Sequence, residues 1–206
     1  MNIRRRSILG EPPQVDWSKK HLTFVTLSDG QYTFTNQTEY SKDDGETWTQ
    51  LEANEPLDVV KGDKIMWRGT IIPNLDYGSG TFSSTAYFNA KGNPLSLNYE
   101  DEFDSAVLAG YNFKALFSGN KQIINAENLS LPTIELTDGC YSTMFSGCTS
   151  LVTAPELPAE TLAVGCYSNM FTACSSLTVA PELPATGLAN SCYSYRTYFY
   201  NNYLPT

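Results

Sequence analysis

CYSTMFSGCTSLVTAPELPAETLAVG at 140–165 is followed at once by CYSNMFTACSSLTVAPELPATGLANS at 166–191, and Cys192-Tyr193-Ser194 begins the motif again. A fixed period of 26 residues constrains this chain more than any other property it has. Near-identical units can bury their apolar faces only against one another, so they must stack. A degenerate copy precedes the two clear ones at 112–139. There Phe117-Ser118-Gly119 matches Phe145-Ser146-Gly147, Ile123 matches Leu151, and Ala126 matches Ala154. After a two-residue insertion, Leu131-Pro132 matches Leu157-Pro158. The repeat zone is therefore 105–206, with units at about 112–139, 140–165 and 166–191 and a partial one at 192–206.

Within the second clear copy, Ala163, Cys166, Tyr167, Met170, Phe171 and Cys174 follow i, i+3, i+4, i+7 spacing, which predicts a helix of about three turns. Leu177–Ala180 reads as a short extended stretch, and Pro181 and Pro184 close the unit because proline offers no ladder donor. Helix, strand and proline-punctuated return make a leucine-rich-repeat-like rung. Stacking then predicts two core ladders of cysteines, Cys140/Cys166/Cys192 and Cys148/Cys174. Their spacings of 8 and 18 residues do not match zinc ligand pairs, and His21 is the chain's one histidine. Buried free thiols are the expectation, with no metal and no cofactor.

Residues 21–104 read as a β-sandwich-like domain. Alternating runs flank turn signals at Asp29-Gly30 and Asp44-Gly45, each expected to close a hairpin. Further strands are expected in KIMWRGTII (64–72) and TFSSTAYFNA (81–90). The expected fold class is thus α+β: an N-terminal β-sandwich-like domain followed by a short leucine-rich-repeat-like solenoid. Residues 1–20 form a basic arm, with Arg4, Arg5, Arg6, Lys19 and Lys20 against Glu11 and Asp16. Since the whole chain is −9, the rest carries −12, a balance unsuited to nucleic acid, which is held by neutralising phosphates. Only Ile8-Leu9 follows the basic cluster where a secretory signal needs roughly 7–15 apolar residues. No apolar run approaches the ~20 residues of a membrane span, so membrane insertion is not expected.

Chemistry-bearing motifs are few. Ser41-Lys42-Asp43-Asp44-Gly45-Glu46-Thr47-Trp48 fits the S-x-D-x-G-x-T-W Asp-box of sialidase-like propellers, which is a structural hairpin even in enzymes that carry it. His21 has no partner nucleophile at readable spacing. Glu100-Asp101-Glu102, with Asp104, reads as a solvated linker rather than a calcium site. No catalytic residue is expected. Tyr195, Tyr198, Tyr200 and Tyr203 supply stiff amphipathic area, either for surface recognition or for capping the last rung.

MFSGCTSLVTAPELP and MFTACSSLTVAPELP resemble the rungs of the BspA-like leucine-rich-repeat family. The CYSxMF and APELPAxTLA variants are similar to proteins of Bacteroides-type gut bacteria and their phages, including crAss-like phages. In those, comparable rungs follow a β module with a DDGxTW-like hairpin and a KGDKIxWxG strand, here Asp43–Trp48 and Lys61–Gly69. The resemblance spans about 22–194. It implies a non-enzymatic virion protein, head or tail fibre-like, with Arg4, Arg5 and Arg6 docking on capsid or tail proteins. Its repeats would then meet a host surface glycan or protein, and a homo-oligomer is expected. The alternative it implies is a BspA-like adhesin on the bacterial cell surface.

Overall fold

The computed structural model describes residues 15–193, except 75, 77, 104, 105, 107, 133 and 134. Among them the chain is mostly β, with two sheets and very little helix. Strands run in the order β1 (Leu22–Thr26), β2 (Gly30–Phe34), β3 (Thr38–Ser41), β4 (Thr49–Leu51), β5 (Pro56–Val59), β6 (Lys64–Arg68), β7 (Phe82–Ser84), β8 (Phe88–Gly92) and β9 (Ile123–Leu129). One short helix, α1 (Ser96–Tyr99), follows β8. A six-stranded sheet has the order β4-β3-β6-β1-β8-β9, and a three-stranded sheet the order β5-β2-β7.

The Asp44-Gly45 turn closes a hairpin as expected: β3 and β4 pair antiparallel with Tyr40 opposite Thr49. The Asp29-Gly30 expectation is corrected. β1 pairs with β6 and β8, whereas β2 pairs with β5 and β7, so residues 27–29 form an arch between layers. Both strands carry fully buried aromatics, and Phe24 meets Tyr32 edge-on at 5.4 Å across the core. A hairpin would lay those rings side by side on one sheet. The arch turns them toward each other, burying both sets. The run 81–90 is likewise split into β7 and β8, one in each sheet. The two arches are stapled together, Leu27 N–H to Tyr87 O at 2.7 Å and Gln31 N–H to Thr85 Oγ1 at 2.9 Å.

The leucine-rich-repeat-like solenoid, with a helix and a strand in each unit, is not seen. Residues 164–173 form no helix but consecutive tight turns, as do 138–147. Non-neighbouring bonds explain why. Gly139, Tyr141, Thr143, Phe145 and Gly147 donate N–H to the carbonyls of Val164, Cys166, Ser168, Met170 and Thr172 at 2.7–3.0 Å. The residues between them, Cys140, Ser142, Met144, Ser146 and Cys148, donate three residues back at 3.0–3.2 Å. Every fourth residue stands at positive φ: Gly139, Thr143 and Gly147, then Gly165, Asn169 and Ala173. The backbone therefore repeats every four residues, and the buried set Cys140, Tyr141, Met144, Phe145 and Cys148 follows it. A four-residue period contains the i+3, i+4 and i+7 separations of a helix, and that overlap produced the helical expectation. Gly147, at φ 77, occupies one of these positions, where an L side chain would be strained.

The extended stretch at 177–180 contains no strand, and β9 is the one strand of the repeat zone among the described residues. β9 pairs parallel with β8, Phe88 opposite Ile123 and Gly92 opposite Leu129. Bonds from Ser79 N–H to Asn112 O (2.9 Å) and from Phe82 N–H to Leu116 O (2.8 Å) tie the other layer to the first repeat unit. Buried side chains run as one cluster from Leu22 to Cys192.

Candidate recognition surface

Aromatic rings set the register of the repeat units. Phe113, Tyr141, Tyr167 and Tyr193 form one column, with successive centroids 5.7–5.8 Å apart. Phe117, Phe145 and Phe171 form another at 5.4 and 5.6 Å. The second column extends into the β module through Phe82 (6.2 Å from Phe117) and Phe34 (3.9 Å from Phe82). Offset ring pairs of this kind contribute about 0.5–1.5 kcal/mol each beyond their area. The Tyr141 hydroxyl donates to Pro132 O at 2.6 Å, tying the turn side of one unit to its proline-bearing return.

All five cysteines are buried free thiols. Cys148 Sγ donates to Phe117 O and Cys174 Sγ to Phe145 O, both at 3.0 Å, so each thiol finds its acceptor one unit back. Burial pushes the Cys140 thiol up to about 12 and that of Cys174 up to about 11. Near neutral pH Cys140 and Cys174 are therefore uncharged packing groups. No group of metal-ligating side chains occurs among the described residues.

With the apolar positions inside, Ser142, Thr143 and Ser146 and their equivalents Ser168, Asn169 and Thr172 line the half-exposed flank. On the return side, Glu156, Glu160 and Glu182 are exposed, and residues 140–193 include no Lys or Arg. A shallow depression of about 640 Å³ lies between two returns, lined by Glu135, Leu136, Pro158, Glu160 and Leu162 among others. Such a surface offers hydroxyls, amides and carboxylates. It would repel a polyanion.

The other motif-bearing region is a cluster of polar and aromatic groups. His21 Nε2 lies 2.8 Å from Asp101 Oδ1, and its ring packs at 5.1 Å from Trp48 and 4.9 Å from Phe103. Arg68 bonds Glu39 (2.7 Å) and Asp101 (2.8 Å) and sits over the Trp48 ring at 4.3 Å. Burial lowers the His21 pKa against the opposing hydrogen bond to Asp101. In the Asp-box, Asp43 Oδ1 accepts from Ser41 Oγ (2.6 Å) and Thr47 N–H (2.9 Å), and Gly45 N–H donates to Ser41 Oγ (2.9 Å). Arg68 is paired with both Glu39 and Asp101, and Asp101 also meets His21, so the cluster locks the hairpin to the segment after α1. Asp101, read as part of a solvated linker, is one of its clasps.

Arg4, Arg5, Arg6, Tyr195, Tyr198, Tyr200 and Tyr203, and likewise Asp104, lie outside the described residues. Sequence reasoning missed Val179, Leu183 and Leu188, which stand exposed on the last described unit. Comparison with the residue 26 positions earlier marks only Val179, which stands where Thr153 does, because Leu183 and Leu188 repeat Leu157 and Leu162. Comparison with protein-family models, with curated proteins and with solved structures gave no match.

Proposed function

We propose that the protein is a non-enzymatic attachment component of a phage virion, fibre-like and placed on the head or tail. On this reading the β module and the arm bearing Arg4, Arg5 and Arg6 dock on capsid or tail proteins. The repeat units face outward to a host surface glycan or protein, joined by Tyr195, Tyr198, Tyr200 and Tyr203. We read the repeats as a BspA-like leucine-rich-repeat variant in which stacked turns stand where a helix would be. The observation that carries this reading is the register of the units. Bonds such as Tyr141 N–H to Cys166 O and Tyr167 N–H to Cys192 O stack equivalent residues, which spreads one polar pattern over a continuous flank. Such extended repeat surfaces suit binding.

The test is peptide mass spectrometry of gradient-purified particles from an infected host. Co-purification of the chain in stoichiometric amount, and its loss from particles in an Arg4→Ala/Arg5→Ala/Arg6→Ala variant, is the expected result. Recovery in a bacterial outer-membrane fraction and not in virions would replace this reading with the cell-surface adhesin. Normal incorporation of the triple variant would remove the docking role from the arm.

A further inference from the structure

The clasp around Asp101 sits beside a strained stretch of backbone. Glu100 ends α1 at φ 46 and ψ −114, a conformation that a residue with a side chain adopts only when its surroundings hold it there. Its N–H is fixed to Gly69 O at 3.1 Å, and the next residue is Asp101, bonded by both His21 and Arg68. α1 is anchored separately, through Asn98 Nδ2 to Ile71 O and to Ser79 Oγ. Across the clasp the His21 main chain is fixed as well: it bridges Asn93, and its carbonyl accepts from Thr23 Oγ1. The part that can yield is segment 100–103.

His21 is the member of the clasp whose charge changes near neutrality. An ionised Asp101 can only accept, so Nε2 carries the proton of the 2.8 Å bond and Nδ1 is bare in the neutral ring. A second proton must go to Nδ1, which has no hydrogen-bond partner among the described residues. The side chain that would carry this charge is only 17% exposed and packs on Trp48 and Phe103. Asp101 favours the imidazolium, whereas Arg68 on β6 and the adjacent Lys20 oppose it, and Glu39 on β3 is already paired with Arg68. Asp101 is 59% exposed, so water screens its attraction while the enclosed ring keeps its desolvation cost. Burial prevails and lowers the His21 pKa.

We propose that this clasp is an acid-released latch: neutral His21 holds Asp101 and Phe103 in place, and protonation of His21 frees segment 100–103 while the two sheets stay closed. With one of its two bonds gone, Asp101 no longer prevents Glu100 from relaxing. Phe103, 4% exposed when latched, loses the ring it packs against. Because the folded pKa is lowered, the closed form is fully favoured above the ordinary histidine value of 6.5 and loses that advantage as pH falls below it. The latch is independent of the attachment reading, and the purified chain suffices to test it.

His21 is the chain's one histidine, so its imidazole gives a single carbon–proton correlation in an NMR pH series. The midpoint should lie below 6.5. Hydrogen exchange, corrected for its intrinsic pH dependence, should show Glu100 and Glu102 opening roughly tenfold more per pH unit from 6.5 down to that midpoint, then levelling. Phe24 and Ile65 should not open with them. His21→Gln, whose amide can still donate to Asp101 but cannot titrate, should stay latched throughout. Asp101→Asn keeps an acceptor but removes the charge that favours the imidazolium, so the midpoint should move to lower pH. A wild-type midpoint at or above 6.5, or protection at Glu100 and Glu102 that ignores pH, overturns the proposal. So does a His21→Gln chain that opens in acid as the wild type does, or an upward shift in Asp101→Asn.

Discussion

Cys140 is fully buried beside the Tyr141 column, and burial pushes its thiol pKa up to about 12. In an unfolded chain a thiol ionises near 8.5. The folded pKa is thus raised, so the neutral thiol's contribution is fully present below about 8.5 and is lost as pH rises toward 12. Cys174, raised to about 11, and Cys166, also raised by burial, add to the same alkaline limb. The urea midpoint should be level through neutral pH and fall steadily above pH 9. At pH 8.5, iodoacetamide should label none of the five cysteines in the native chain and all of them in urea. Rapid labelling of native Cys140, read by mass spectrometry, would contradict this placement. The burial of these residues was legible in the sequence, because each cysteine stands at an equivalent position of a repeat and has no ligand partner. The clasp from His21 through Asp101 to Arg68 was not, because residues 21, 68 and 101 meet only through the tertiary fold.

Four-residue turns, rather than helices or strands, are the working element of the repeat units. They hold because apolar columns fix them from inside and every second N–H crosses to the next unit. Phe145 is fully buried between Phe117 and Phe171, whereas Phe171 is itself only half-buried. Phe145→Ala should therefore cost about 3–5 kcal/mol in urea unfolding. Phe171→Ala should cost clearly less, and equal losses at the two sites would argue against the column. Periodicity located these elements but mistook their type. Asp-Gly located two turns but could not distinguish a hairpin from an arch. In the first case Leu22/Phe24 and Tyr32/Phe34 all need burial, which two facing layers satisfy. In the second, Ser41 and Asp43 fix the turn locally, and the hairpin follows.

At the scale of the whole molecule, the sequence marks two compositions, and the boundary placed at 104/105 lies just before the degenerate unit at 112–139. The structure joins across it. β9 comes from the first unit and completes the six-stranded sheet, and the ring column Phe34–Phe82–Phe117–Phe145–Phe171 passes from one part into the other. No sequence period could reveal this, because the joining residues of the β module, Phe82 and Phe88, have no repeat equivalents. The consequence is mechanical: a surface carried on units that share a core with their base moves with that base. Native-state hydrogen exchange in rising urea tests this most directly, following Phe24 and Ile65 in the β module alongside Tyr141 and Phe145 in the repeats. One cooperative body predicts that all four amides merge into a single opening with the same free energy and the same urea dependence. Loss of protection at Tyr141 and Phe145 at lower urea, while Phe24 and Ile65 remain closed, would contradict it.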